Sequence, residues 1–175
     1  KHLLSRQQTG EILRSSEIDV TEFRSGVIVG SGSLSFEIIR NLTERLPIMI
    51  CPKWVYTKTQ PISIENVLEY LIHSISTKIP KNHVFEIGGE DVLSYGDMIK
   101  RYALIRRLRR LLIPVPVLTP KLSSYWIHWT TPVSAKITRP LVEGLKNESI
   151  VYDTKAQEYF PQISLINYDD AVKLA

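Results

Sequence analysis

The sequence predicts an α/β fold with parallel strand pairing, and three observations carry that reading. A β-branched run from Val20 to Gly30 ends in glycine and leads through Ser31-Gly32-Ser33 into a helix. After Ser63, the residues Ile64, Val67, Leu68, Leu71, Ile72 and Ile75 fall at offsets 0, 3, 4, 7, 8 and 11, the spacing of one helix face. A short apolar stretch, Val84 to Ile87, then closes on Gly88-Gly89. Strands that alternate with helices pair in parallel through right-handed crossovers. The expectation is therefore that the 20–30 and 84–87 strands lie parallel in one sheet, with the 64–76 helix packed on it through those six aliphatics.

The remaining elements follow in chain order. Residues 2–14 read as a helix from Leu3, Leu4, Ile12 and Leu13, with Gly10 inside it. A mid-helix glycine costs about 1 kcal/mol against alanine, so it marks a place where another backbone packs close. Ser35 is the expected cap of a helix that runs to about Leu46, where Pro47 stops it. Short strands are expected at Ile48–Ile50 and Trp54–Tyr56, with extended chain at Gln60–Ile62. Ser94-x-x-Asp97 is a capping-box variant that opens a helix to about Arg110. Leu111 to Val115 is extended, a helix is expected over 117–130, and shorter helices at 140–146, 154–160 and 169–175.

Composition narrows the function. With 43% apolar and 23% charged residues over 175 positions, the chain has the material for a packed core. No apolar run approaches the roughly 20 residues that span a bilayer, and the opening Lys1-His2-Leu3-Leu4-Ser5-Arg6 turns polar too soon for a signal peptide. One cysteine, Cys51, excludes an internal disulfide framework and a multi-cysteine zinc site, and reads as a core residue. The four histidines show no metal-ligand spacing, so no metal is expected. Lys100, Arg101, Arg106, Arg107, Arg109 and Arg110 place six cations in eleven residues. Without interleaved aromatics they read first as a solvated face at a helix end, and no nucleic acid is expected. An anionic surface is the alternative partner for this cluster. The absence of an initial methionine and of a first cap suggests a segment of a longer protein.

Gly30-Ser31-Gly32-Ser33-Leu34-Ser35 follows a strand and opens a helix, as a dinucleotide fingerprint does. It departs from that pattern at Ser35, where the third glycine belongs, and no acidic residue ends a second strand about 20 residues on. A loop that faces substrate or cofactor is the better reading.

Four stretches in order resemble the short-chain dehydrogenase/reductase superfamily in its extended and atypical branches. Phe23-Arg24-Ser25-Gly26-Val27-Ile28-Val29-Gly30 is similar to its R-P-x-x-(V/I)-(Y/F)-G strand, with Ser25 in place of proline. Gln60 to Val67 is similar to the entry of a late helix, with Asn66 where aspartate is common, and Val84 to Gly89 to the last strand. Asp153-Thr154-Lys155-Ala156 with Phe160-Pro161 resembles D-x-(S/T)-K-A…(F/Y)-x-P of nucleotide-sugar epimerases. The nearest subgroup comprises predicted nucleoside-diphosphate-sugar epimerases, similar to the complex I 39-kDa subunit and NmrA-like proteins.

The resemblance implies the C-terminal half of a Rossmann-like parallel sheet (residues 1–33 and 59–90) plus a smaller mixed α/β substrate lobe (34–58 and 91–175). It implies a cytoplasmic protein, able to form a homo-oligomer, that binds NAD or NADP and a small-molecule substrate, with the glycine-rich cofactor fingerprint before Lys1. It places His2 and Arg6 over the catalytic Y-x-x-x-K. Arg24, Ser25, Gly26, Val27 and Ile28 fall at the cofactor, and Ser31, Ser33, Phe36 and Gln60 at the substrate. Imidazole can move a proton near neutrality, but a guanidinium cannot give one up. The implied activity is therefore that of an epimerase, a dehydratase or a non-catalytic NAD(P)-binding sensor or scaffold.

Overall fold

The computed structural model describes residues 2–115 and 146–175. Helix α1 (His2–Arg14) leads into β1 (Thr21–Ser25), which continues almost directly into β2 (Ile28–Val29). Helix α2 (Leu34–Arg45) and β3 (Ile48–Pro52) follow, then a 3-10 turn (Lys53–Tyr56), β4 (Lys58–Thr59) and β5 (Ile62–Ser63). Helix α3 (Ile64–Ser74), β6 (His83–Ile87), β7 (Leu93–Ser94), α4 (Tyr95–Ile105) and β8 (Leu111–Val115) complete the first described stretch. The second holds α5 (Lys155–Tyr159) and α6 (Tyr168–Leu174). The expected 117–130 helix and most of the 140–146 helix lie outside the described residues.

The strands pair two by two. β1 and β6 run parallel in full register, from Thr21 opposite His83 to Ser25 opposite Ile87. This is the parallel pairing expected for the 20–30 and 84–87 strands. β2 pairs with β5 and β3 with β8, both parallel, while β4 and β7 are antiparallel. The 20–30 run therefore changes partner midway. Ile62 N donates to Val27 O and Gly89 N to Pro61 O, so the end of β6 abuts the start of β5.

Two apolar clusters hold these elements. The larger joins α2, β3, α4 and α6 around Phe36, Met49, Met98, Tyr102 and Tyr168, and takes in Val27 and Val29. The smaller joins β6, β5, α3 and α5 around Ile62, Tyr70, Phe85, Ile87, Ala156 and Phe160. In it, Phe23, Tyr70, Phe85 and Phe160 form an aromatic knot with centroid spacings of 5.4–5.9 Å. Spacings of that size carry edge and offset attraction beyond area burial. Cys51 is buried, as its reading as a core residue implied.

The structure corrects the inward face of α3. Leu68, Leu71, Ile72 and Ile75 are exposed, whereas Asn66 and Tyr70 are buried. Tyr70 points into the aromatic knot, and Asn66 is tied to the chain beyond α5. Its Nδ2 donates to Ser164 O (2.9 Å), and its Oδ1 accepts from Ile166 N (2.8 Å). At about 100° per residue, Asn66 and Tyr70 lie on the far side of the helix from the centre of the aliphatic face, so these contacts turn that face outward.

Smaller corrections have local causes. Helix α2 starts two residues earlier than a Ser35 cap would allow, with Ser33 at the N-cap. Trp54–Tyr56 forms a 3-10 turn closed by Thr57 N to Trp54 O, not a strand. Helix α4 ends at Ile105 rather than near Arg110, because Arg107 takes a left-handed φ of 55° and Leu108 N bonds back to Ala103 O. The expected capping box at Ser94 and Asp97 forms in both directions.

Leu71→Ala should cost less than about 1 kcal/mol in urea unfolding, since buried leucines lose 2–5 and Leu71 is 48% exposed. Tyr70→Ala, at 2% exposure, should cost about 3–5 kcal/mol. A reversed order of the two would show that α3 packs through its aliphatic stripe.

Candidate functional site

The candidate site is built where the 21–29 run ends and where it changes partner. At the change, Gly26 has no room for a side chain. A Cβ there would sit 2.8 Å from Thr59 Oγ1 and 3.1 Å from Ser149 Oγ. Those two hydroxyls are 2.8 Å apart. Burial raises the pKa of Tyr95 above the usual phenol value, and the Thr59 and Ser149 hydroxyls oppose that shift only in part. Gln60 spans the same junction. Its Nε2 donates to Gly89 O (2.7 Å), and its Oε1 accepts from Val151 N (3.0 Å). The result is a polar seam in which β1, β5, β6 and the 149–151 segment are fastened together.

Beyond the seam the run ends at Gly30, and the chain turns. Ser33 N donates to Gly30 O, and Gly32 takes φ 80° with open space around it. Any other residue would be strained at that φ. Ser31 and Gly32 are exposed. Ser33 caps α2 by backbone position alone, since its hydroxyl makes no bond to the helix. The loop therefore presents two serine hydroxyls and the first turn of a helix just past the carboxyl end of a parallel strand, the place where open α/β sheets take ligands.

The other expected site residues are distributed as follows. Arg24 and Ser25 are exposed near the end of β1, and the Arg24 guanidinium is held by Glu22 (2.7 Å). Glu22 also pairs with Arg14 of α1, against the open side of Gly10. The mid-helix glycine predicts a second backbone there, but what packs against Gly10 is the Glu22 side chain. Val27 is buried and Ile28 half-buried, so both contribute packing and backbone. Phe36 is buried edge-on against Tyr102, inside the larger cluster. His2 opens α1, and Arg6 one turn later is exposed. Gly30 is close-packed not by a ligand but by Ile64, whose Cγ2 would lie 2.5 Å from a Cβ.

Sequence reasoning did not find Thr59, Ser149 or Tyr95. Thr59 and Ser149 are 90 positions apart, and no local spacing connects them. Among the described residues no group of three or more His, Cys, Asp or Glu side chains is placed to hold a metal ion.

Gly89→Ala should unfold the seam, because its Cβ would meet Pro61 O at 2.3 Å and backbone cannot yield cheaply. A loss above about 3 kcal/mol is expected in urea unfolding, as for other strained backbone sites. The buried phenols predict a pH response. Tyr70, Tyr95, Tyr102 and Tyr168 all have raised pKa values, in each case first through burial. Their contribution is complete below the unfolded value of about 10 and is lost as pH rises from there toward the folded values. The urea midpoint should thus fall between about pH 9 and 11 and not between 7 and 9. A midpoint flat to pH 11 would show that the folded phenols ionise normally.

No family model matches the chain, and no curated protein matches it. Solved structures do. UDP-glucose 4-epimerase of Thermotoga maritima superposes with a TM-score of 0.67 at 15% identity, covering 98% of this chain and 50% of that one. Triphenylmethane reductase of Citrobacter sp. gives 0.69 at 13% identity, with 95% and 56% covered. WbmH of Bordetella bronchiseptica, solved with NAD+, gives 0.64 at 12% identity, with 98% and 49% covered. The chain thus spans about half the length of these solved structures. The fold they share with it is a Rossmann-like α/β fold.

Proposed function

We propose that this chain is part of an NAD(P)-binding, epimerase- or dehydratase-like protein acting on a nucleotide-sugar or a related small molecule. The observation that carries the reading is the pair of free serine hydroxyls, Ser31 and Ser33, beyond the carboxyl end of the 21–29 run, in a fold otherwise seen in such enzymes. Among the similar structures, one was solved with UDP-glucose, another with UDP-glucuronic acid and NAD, and a third with NADPH.

In this proposal the backbone of Arg24 to Ile28, with the exposed Ser25 hydroxyl, faces the cofactor. The Arg24 guanidinium stays with Glu22 and gives no charge to a phosphate. NAD or NADP would supply the hydride acceptor or donor. Ser31 and Ser33 bind substrate hydroxyls or phosphate, while Gln60 positions the 149–151 segment rather than the ligand, because both ends of its amide are already used. His2 and Arg6 sit four apart on α1 and so share a face. There His2 moves the substrate proton, and Arg6 holds a hydroxyl. Residues 1–33 and 59–90 then form the cofactor side, and 34–58 and 91–175 the substrate side, in a small-molecule enzyme that works as a monomer or a homo-oligomer. Among the described residues no helix is long and apolar enough to cross a membrane.

A second reading is a non-catalytic NAD(P)-binding sensor or scaffold. The replacement of a phenol and an ammonium by His2 and Arg6 favours it, since that pair cannot form the lysine-assisted phenolate of hydride chemistry.

The two readings separate in the full-length protein. Calorimetry should find micromolar NAD or NADP binding there and none at that level in residues 1–175 alone. Micromolar binding to the 175-residue chain would place the cofactor phosphates at Gly30–Ser33 instead. With a nucleotide-sugar supplied, the enzyme reading expects turnover that titrates as an imidazole does near neutrality. It also expects His2→Ala to lower turnover about 100-fold or more, the usual worth of a general acid–base. Turnover unchanged in both His2→Ala and Arg6→Ala excludes both residues from the chemistry. Cofactor binding without turnover selects the sensor.

A further inference from the structure

Among the described residues nothing covers the outward face of the β3–β8 pair, and its rim is cationic. Met49 and Cys51 of β3 point into the larger cluster. On the other face, Ile48 lies opposite Leu111 and Ile50 opposite Ile113, in register. All four are exposed, Ile48 at 54% and Leu111 at 56%. Parallel strands are ordinarily covered on both faces, so four adjacent bare aliphatics on such a pair call for a partner.

The charge around them is one-sided. Residues 44–50 and 104–115 contain Arg45, Arg106, Arg107, Arg109 and Arg110 against Glu44 alone. That excess equals the net charge of the whole chain, +4. Arg110 is used structurally, donating to Thr43 O and to Glu44 O at the end of α2. Arg106 is 3.7 Å from Glu44 and still largely in water. Arg107 and Arg109 are exposed. Arg106 and Arg107 edge an open recess beside Ile105 and Leu108, and Leu104 projects nearby in sequence, 75% exposed. The left-handed Arg107 ends α4 and sends the chain into β8. The arginines are thereby delivered to the strand end of the aliphatic plate, not to a helix face.

The geometry points to a docking surface for an anionic lipid bilayer, made by Ile48, Ile50, Leu111 and Ile113 with Arg106, Arg107 and Arg109. Arginines attract a negative bilayer surface over about a Debye length, and the aliphatics enter the boundary between headgroups and chains. A nucleic acid would use the cations but offers nothing to four aliphatics, and the plate has no aromatic ring on which to stack a base. The surface is independent of the catalytic reading and adds a peripheral attachment to it.

The test is co-sedimentation of the 175-residue chain with vesicles of phosphatidylcholine alone and of phosphatidylcholine with about 30% phosphatidylglycerol, a physiological range of surface charge. Binding to the mixed vesicles should exceed that to the neutral ones at least tenfold and weaken with added salt. R106E/R107E/R109E should abolish it. I50S/I113S changes no charge and should reduce it several-fold. Both variants replace exposed side chains, and unchanged urea midpoints show that they fold. Three results would overturn the proposal: equal sedimentation with both vesicle types, binding indifferent to I50S/I113S, or a nucleic-acid fragment bound as tightly at the same salt. Loss of fold in R106E/R107E/R109E shifts the decision to R107E/R109E, which must then lower binding for the proposal to stand.

Discussion

The change of partner at Gly26 is the constraint on which the rest of the structure depends. A parallel strand has one edge to offer on each side, and here residues 21–25 use it for β6 while 28–29 use it for β5. The switch requires two other backbone segments to meet the strand at one point. That is possible only because Gly26, Gly88 and Gly89 bring no side chains. The polar groups freed by ending one ladder and starting another cannot be left without partners, and buried unpaired groups cost about 1–3 kcal/mol each. Gln60 closes that account with both ends of its amide, and Thr59, Ser149 and Tyr95 close it on the other side. The same switch releases the end of the run from pairing with β6. Gly30–Ser33 is thus free to turn, with Ser31 and Gly32 exposed and Ser33 half-buried.

The seam also couples distant parts of the chain. Ser149 and Val151 enter it from one end, and Ser164 and Ile166 are held by Asn66 from the other. The segment between carries Ala156 and Phe160 into the smaller cluster. α6 follows, with Tyr168 N on Asp91, and Arg101 bridges Asp91 and Asp169. Arg101 belongs to the cation-rich stretch of the sequence but is spent on this internal bridge, with its guanidinium over the Tyr168 ring. One stretch of basic residues therefore serves two ends, a buried-side clamp at Arg101 and a solvent rim at Arg106–Arg109.

What was legible in the sequence was local. The β-branched run, the glycine pair after Ile87 and the Ser94–Asp97 box each report on a few adjacent residues, and each formed as read. The helix face of α3 was misread because periodicity reports only which side is apolar. Which side is buried is decided by partners, and here a tyrosine in an aromatic knot and an asparagine tied 98 and 100 residues away outweigh four aliphatics. Thr59, Ser149 and Tyr95 were invisible for the same reason: their chemistry exists only after the chain brings them together. Ser33 displaced Ser35 as the cap because the turn at Gly30–Ser33 closes first, and the helix begins where the turn ends.

This division between local and long-range information bears on the functional reading as well. The features that mark Gly30–Ser33 as a ligand loop are a strand end, a left-handed glycine and two serines within four residues, and all of them are local. They specify a local shape and are silent on any chemistry. In the proposed function that chemistry rests on His2 and Arg6, which no local signal joins to the loop. His2 and Arg6 are more than 20 residues away along the chain, on a helix held to β1 by Gly10, Arg14 and Glu22. The ion pair of Arg14 with Glu22, shared with Arg24, sets how α1 lies on β1. Loosening it would move the His2 end of the helix while leaving the serine loop in place. The seating of α1 on β1 and the turn at Gly30–Ser33 thus rest on separate supports in this fold, so a change that loosens one need not disturb the other.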